Sequence, residues 1–283
     1  MTHQTANADA PGRTQADGRD IGRQVAVISS VVFMIIASFV GSGAAGGTPI
    51  QDALGGALDS DASYLAPATP AFSIWSVIYG GLVLYAIWQA LPAQRASRRQ
   101  RLLGWWIALT AVLNGAWILV VQFGTLLLSV LTIIALLAVL AFVWRRTVLT
   151  REPGDGLLDS VLIDGVTGLH FGWVTIATVA NITAQLTQLA DASWADAAAL
   201  WGSLVLIVAL LIGTGISVWS KGRITPALAI AWGVMWIGIG RLADAPREGV
   251  IGVTAIIVAV LLVAVPVAIT VARRVRGVAP TRV

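Results

Sequence analysis

Eight long apolar runs, separated by short polar or glycine-rich stretches, set the pattern of this chain: 24–46, 71–91, 103–122, 125–144, 157–184, 198–219, 225–243 and 249–272. A helix of about 20 apolar residues, rising about 1.5 Å per residue, is long enough to cross the hydrocarbon core of a bilayer. The pattern therefore predicts an all-α integral membrane protein with eight transmembrane helices. Residues 1–23 are polar and read as a disordered tail, and 273–283 read as a short basic tail. A competing reading treats the basic start, the first apolar run and "GSGAAGG" as a cleavable signal peptide. That run is long for an h-region of roughly 7–15 residues.

Charge gives the runs a direction. Arg13, Arg19 and Arg23 precede the first run, and Arg95, Arg98, Arg99 and Arg101 follow the second. Arg145, Arg146 and Arg151 follow the fourth, Lys221 and Arg223 the sixth, and Arg273, Arg274, Arg276 and Arg282 the eighth. Of the 18 Lys and Arg residues, only Arg241 and Arg247 fall on the other side, among Asp52, Asp59, Asp61, Asp191, Asp196, Asp244 and Glu248. The positive-inside rule then predicts a multi-pass protein of the cell (plasma) membrane with both termini cytoplasmic.

Composition agrees. The chain is 57% hydrophobic and only 11% charged, with mean hydropathy +0.84, against roughly 25% charged in soluble domains. Its basic balance reports topology, so no nucleic-acid partner is expected. The absence of cysteine excludes disulfides, thiol catalysis and cysteine-ligated metals. With two histidines, one at position 3, a histidine-rich metal site is not expected. Lys221, the sole lysine, lies between runs, which excludes an intramembrane Schiff base.

Polar and aromatic residues inside the runs are the candidates for chemistry. In "GLHFGWVTIATVANIT", His170, Trp173, Ala177 and Asn181 fall at i, i+3, i+7 and i+11 and share one helical face. Phe72, Trp75 and Tyr79 form a stripe at the start of the second run, behind Pro67 and Pro70. In the third run Trp106, Thr110, Asn114 and Trp117 share a face. Given the predicted orientation, three helices place aromatic and amide groups at similar depth in the outer half. Interfacial tryptophan and interhelical asparagine also occur without any ligand. Asp164, about 10 Å deep, is a functional candidate as an intramembrane acid, or it snorkels or bonds a hydroxyl; Asp159 reads as solvated. In the seventh run Gly233, Gly238 and Gly240 permit close helix packing, Trp232 and Trp236 are four apart, and Arg241 is expected to pair with Asp244.

Taken in order over about residues 24–185, these motifs resemble the tryptophan-rich sensory protein, or translocator protein, family (TspO/MBR), whose members have five transmembrane helices. The resemblance rests on Pro67, Pro70, Trp75 and Tyr79, on Leu113, Asn114 and Trp117 closing with Phe123-Gly124, and on the spacing of Trp173, Ala177 and Asn181. It implies a five-helix bundle over 24–185 with three additional helices over 186–272, hence an extended, divergent member. It also implies a pocket beneath the first loop for a hydrophobic planar ligand, tetrapyrrole or sterol-like. The binding residues expected on this basis are Pro67, Pro70, Phe72, Trp75, Tyr79, Asn114, Trp117, His170, Trp173, Ala177 and Asn181. From the residues themselves, indole faces would stack on a flat ring, and Asn114 and Tyr79 offer donors.

The functional expectation is a receptor or sensor that assists transport of its ligand. The alternative is a proton-coupled secondary transporter using Asp164 or Arg241. No nucleophile–base pair or metal cluster is legible, so no catalytic residue, enzyme activity or metal is expected. No cofactor is required, a porphyrin or haem-type molecule being a candidate ligand. The expected partners are the bilayer, a small hydrophobic ligand and, as an open question, a second copy of the chain.

Overall fold

The computed structural model describes residues 17–44 and 46–277, and all regular structure among them is helical. Eight helices are long and apolar enough to cross a membrane. They are α1 (Gly18–Gly41), α2 (Ile74–Ala90), α3 (Arg98–Phe123), α4 (Leu126–Leu149), α5 (Val166–Leu189), α6 (Ala198–Trp219), α7 (Thr225–Ala243) and α8 (Gly249–Val275). A 3-10 turn, Thr69–Ser73, leads into α2, and a π turn, Asp159–Gly165, leads into α5. The protein is thus an all-α, eight-helix integral membrane protein.

Several helices reach further than their apolar runs. α1 begins at Gly18, not residue 24, because Asp17 and Asp20 form a capping box and Arg23 and Gln24 are buried. Residues 1–16 and 278–283 of the expected tails lie outside the described residues. α3 starts at Arg98 rather than 103, and α8 carries Arg273 and Arg274 in its last turn. Basic residues there belong to the helices and suit the negative C-terminal dipole of α8. α1 stops early, at Gly41, where Gly43 and Gly46 take positive φ.

The first five helices close a ring in the order α1, α2, α5, α4, α3, and α7 packs on the outside of α5. α8 lies against α7, and α6 against α8 and α7. α5 is the central element, with 78% of its apolar window buried against 22% for α6, whose Leu200, Leu204, Val208 and Leu211 face outward. Glycine sets how close α5 and α7 come. A Cβ on Gly172 would fall on the Pro226 backbone, and one on Gly233 would meet Ile176. Gly238 likewise meets Ile256 of α8, whereas Gly240 has ordinary clearance from Ala68.

Polar side chains lock the basic end of the bundle. Arg23 donates to Oε1 of Gln89 (3.2 Å) and to the Arg95 carbonyl (3.0 Å), and Arg101 pairs with Asp20 (2.6 Å). Nearby, Asp164 sits among three arginines: Arg99 in direct contact, Arg151 at 3.0 Å and Arg223 at 3.8 Å. It neither snorkels nor depends on a lone hydroxyl, because α3, the α4–α5 loop and the α6–α7 loop each bring it a guanidinium. Asp159 is 19% exposed and lies 3.6 Å from Arg99, so it is part of this cluster and not a solvated surface acid. Burial lowers the Arg223 pKa from its usual value, and the Asp164 carboxylate opposes that shift. Arg223 thereby joins the outer helices to the ring.

Replacing Asp164 with alanine takes from the buried Arg223 its carboxylate and leaves Arg99 and Arg151 only the longer contacts to Asp155 and Asp159, and is expected to destabilise the fold by about 3–5 kcal/mol. Glu152→Ala removes the exposed Arg98–Glu152 pair and is expected to cost about 0–1 kcal/mol. Thermal unfolding of the two variants in detergent compares them directly. Gly172→Val is expected to lower stability by about 1–3 kcal/mol through overpacking, while Gly215→Ala, with open space at its Cβ, should not lower the midpoint. Equal melting of Gly172→Val and the parent would refute the close α5–α7 contact.

Candidate functional site

At the acidic end the chain between α1 and α2 folds back over the ring, and neighbouring helices hold it there. Gln122 of α3 exchanges two hydrogen bonds with the Thr48 backbone, accepting at 3.0 Å and donating at 2.6 Å. On the other side, Arg241 of α7 donates to the carbonyls of Ser63 (2.9 Å), Ser60 (2.7 Å) and Ala245 (3.4 Å). The Trp232 indole donates to the Ala71 carbonyl (2.9 Å), and the Ala68 N–H donates to the Trp236 carbonyl (3.3 Å). These bonds satisfy a loop whose Leu65, Ala66, Pro67 and Ala68 are buried. Arg241 was expected to pair with Asp244. Its hydrogen bonds go to carbonyls instead, because the buried loop offers acceptors that no charge pattern reveals.

Beneath this roof the aromatic residues meet. The Trp75 ring stacks on Tyr79 at 5.1 Å and lies nearly parallel to Trp117 at 6.3 Å. It meets Trp173 edge-on at 5.9 Å and His170 at 6.1 Å, while Phe72 meets Trp173 edge-on at 6.0 Å. The residues expected to share a depth on α2, α3 and α5 are thus in mutual contact.

A narrow cleft, about 30 Å³ in volume, runs under the roof. Pro67, Phe72, Trp75, Trp117, Trp173, Ala177 and Asn181 line it, joined by Asp59 and Ser63 of the loop. A second, wider depression includes Tyr79 and Ser38 and shares Ile50, Phe72 and Trp75 with the first. Pro70 is exposed outside both.

Asn114 and His170 lie behind the cleft, not on its wall. The Tyr79 hydroxyl donates to Oδ1 of Asn114 (3.0 Å), and Nδ2 of Asn114 faces Nε2 of His170 at 3.3 Å. An amide nitrogen can only donate, so His170 accepts there as a neutral ring. The donors that Tyr79 and Asn114 were expected to offer a ligand are therefore spent on each other and on His170. Asn181 likewise accepts from Ser129 (3.1 Å) and donates to the Ala177 carbonyl (2.9 Å).

The free donors are elsewhere on the wall. The indole nitrogens of Trp117 and Trp173 and the Ser63 hydroxyl are buried and have no hydrogen-bond partner. Buried polar groups are usually satisfied; these three, like the Trp144 and Trp236 indoles away from the cleft, are donors with no partner among the described residues. Sequence reading valued the tryptophans for their faces and missed their N–H groups, and it passed over Ser63, which lies in a loop without periodicity. No group of three or more His, Asp or Glu among the described residues is placed to hold a metal ion.

A family model described as TSPO-like protein matches residues 25–268. The matched stretch runs from α1 into α8, so the last three helices fall within it. No curated protein and no solved structure matches the chain.

Arg241→Ala removes the donors that tie the roof to α7, leaving buried carbonyls unpaired at about 1–3 kcal/mol each. Faster amide hydrogen exchange across residues 58–73 is expected, with the Thr48–Gln122 segment little changed. Unchanged exchange at 58–73 would show that the roof is held by other means.

Proposed function

The chain belongs to the TSPO-like protein family, and from that membership and the cleft we propose a membrane receptor or sensor for a hydrophobic planar ligand. The ligand class is tetrapyrrole or sterol-like, and assistance of its transport follows from a site that opens at one end of the bundle. The observation that carries this reading is the set of unpartnered buried donors, Trp117, Trp173 and Ser63, on one aromatic-walled cleft. Indole rings give a flat ligand large contact area, and their N–H groups fix its acceptor atoms. A mostly apolar wall with a few convergent polar groups is the usual form of a small-molecule site.

Charge supports an orientation in which the basic end and both termini face the cytoplasm of the cell membrane, with the cleft opening outward. The ligand is a signal or cargo, and the site needs no resident cofactor and no catalytic group. The proton-coupled transport reading leaned on Asp164 or Arg241. Both have other work in this fold, Asp164 joining three loops or helices through arginine and Arg241 holding the roof.

Tryptophan quenching of the purified protein by protoporphyrin IX or its dimethyl ester tests the site. At least one probe is expected to saturate. Ala177→Leu should weaken it about 5- to 100-fold, the equivalent of about 1–3 kcal/mol of overpacking, and Trp173→Phe about 2- to 10-fold through lost aromatic contact. Absent saturation, or affinity indifferent to both variants, would return this stripe to a packing role.

A further inference from the structure

The same cleft has an electrostatic character that narrows its ligand. Asp59 is the one ionisable side chain among the lining residues, and no Lys, Arg or His joins it there. Its Oδ1 accepts from the Ser60 N–H (2.6 Å) and hydroxyl (3.2 Å), which hold the carboxylate in place, and among the described residues no cation forms an ion pair with it. Arg241 keeps its charge while donating to the carbonyls of Ser60, Ser63 and Ala245, but it is not among the lining residues and forms no ion pair with Asp59. The loops at this end carry Asp52, Asp61, Asp191, Asp196, Asp244 and Glu248 against Arg241 and Arg247. An anion thus approaches a negative rim and meets a carboxylate on the wall, where partial desolvation strengthens repulsion.

The groups that want partners point the other way. Trp117 and Trp173 are 3% and 1% exposed, and their indole N–H groups are pure donors. Ser63, 3% exposed, is also unpartnered. The wall therefore asks for acceptor atoms without asking for negative charge. We infer that the cleft selects neutral or cationic planar ligands bearing acceptors, such as ester or ketone oxygens, over their carboxylate counterparts, with Asp59 as the specificity-determining residue. This rests on the reading of the cleft as the ligand site.

Protoporphyrin IX and its dimethyl ester share one ring and differ in charge, so they separate the two claims. Each is titrated by tryptophan quenching into the parent, Asp59→Asn and Ala177→Leu, in the same neutral detergent at pH 7.5. The parent is expected to bind the ester about tenfold more tightly, the size of effect a nearby like charge produces. In Asp59→Asn the ester-to-diacid affinity ratio should fall toward one, and added salt should reduce it in the parent. Equal or tighter binding of the diacid, with Ala177→Leu weakening both probes, would overturn the charge selection and leave the site standing. An ester preference that Asp59→Asn does not change would also overturn it, since the preference would then belong to the greasier probe. Saturation by neither probe, or indifference of both to Ala177→Leu, would remove site and selection together.

Discussion

Irregular backbone at the end of a membrane bundle must find hydrogen-bond partners, and here that requirement joins the two layers of helices. The chain between α1 and α2 is largely irregular, with only short helical turns at Ala53–Gly56 and Thr69–Ser73, yet its residues 65–68 are buried. An unpaired carbonyl or amide there costs free energy that water cannot return. Arg241, Trp232 and the Trp236 carbonyl of α7 meet part of that need, and Gln122 of α3 meets another part. Arginine suits the place because its rigid fork reaches several carbonyls at once. The 3-10 turn Thr69–Ser73 is fixed by the same contacts, and that turn aims Phe72 and Trp75 at Trp173. The aromatic cluster is therefore a consequence of how the roof is tied down.

The basic end uses the same residue type for a different task. There the acceptor is the Asp164 carboxylate, and arginines from three segments converge on it. A buried ion cluster of this kind is weak evidence for net stability, because desolvation offsets much of the attraction. Its value lies in register: Arg223, just before α7, can reach Asp164 only if α7 docks at one height on α5. Gly172 and Gly233 then let α5 and α7 approach closely along their length. One end fixes height, the glycines fix distance, and the other end presents the cleft.

Much of this was legible in the sequence, and what was not had a physical reason. Apolar runs and the alternation of charge gave eight helices, because lipid imposes length and composition on each span separately. The stripe of Trp173, Ala177 and Asn181 was legible because helical periodicity is local. Helix ends were misplaced where residues 18–23 and Arg98–Arg101 continue a helix while counting as polar. Arg241 was matched with Asp244 three residues away, when its partners Ser60 and Ser63 lie far back in the chain. Tyr79, Asn114 and His170 satisfy one another across α2, α3 and α5, a closure that spacing within any one helix cannot reveal. Of the candidate residues, the cleft gathers those on its wall from the loop, α2, α3 and α5, while Pro70 stays outside and the Asn114–His170 pair stands behind.

These relations bear on the status of the last three helices. Read from motifs alone, they follow a five-helix unit as an addition, since every recognisable motif lies before residue 185. The contacts reverse that order of importance. α7 supplies a donor to Ser60, Ser63 and Ala71 and an acceptor to Ala68, all within the loop that carries Asp59, Ser63, Ala66 and Pro67 to the cleft. It also covers the back of Trp173 through Gly233. Without α7, the roof would hold unpaired buried carbonyls and Trp173 would lose a packing surface. The family match runs through residue 268 and treats the eight helices as one continuous stretch. The second layer is accordingly the scaffold of the cleft's roof, and the site belongs to the whole bundle.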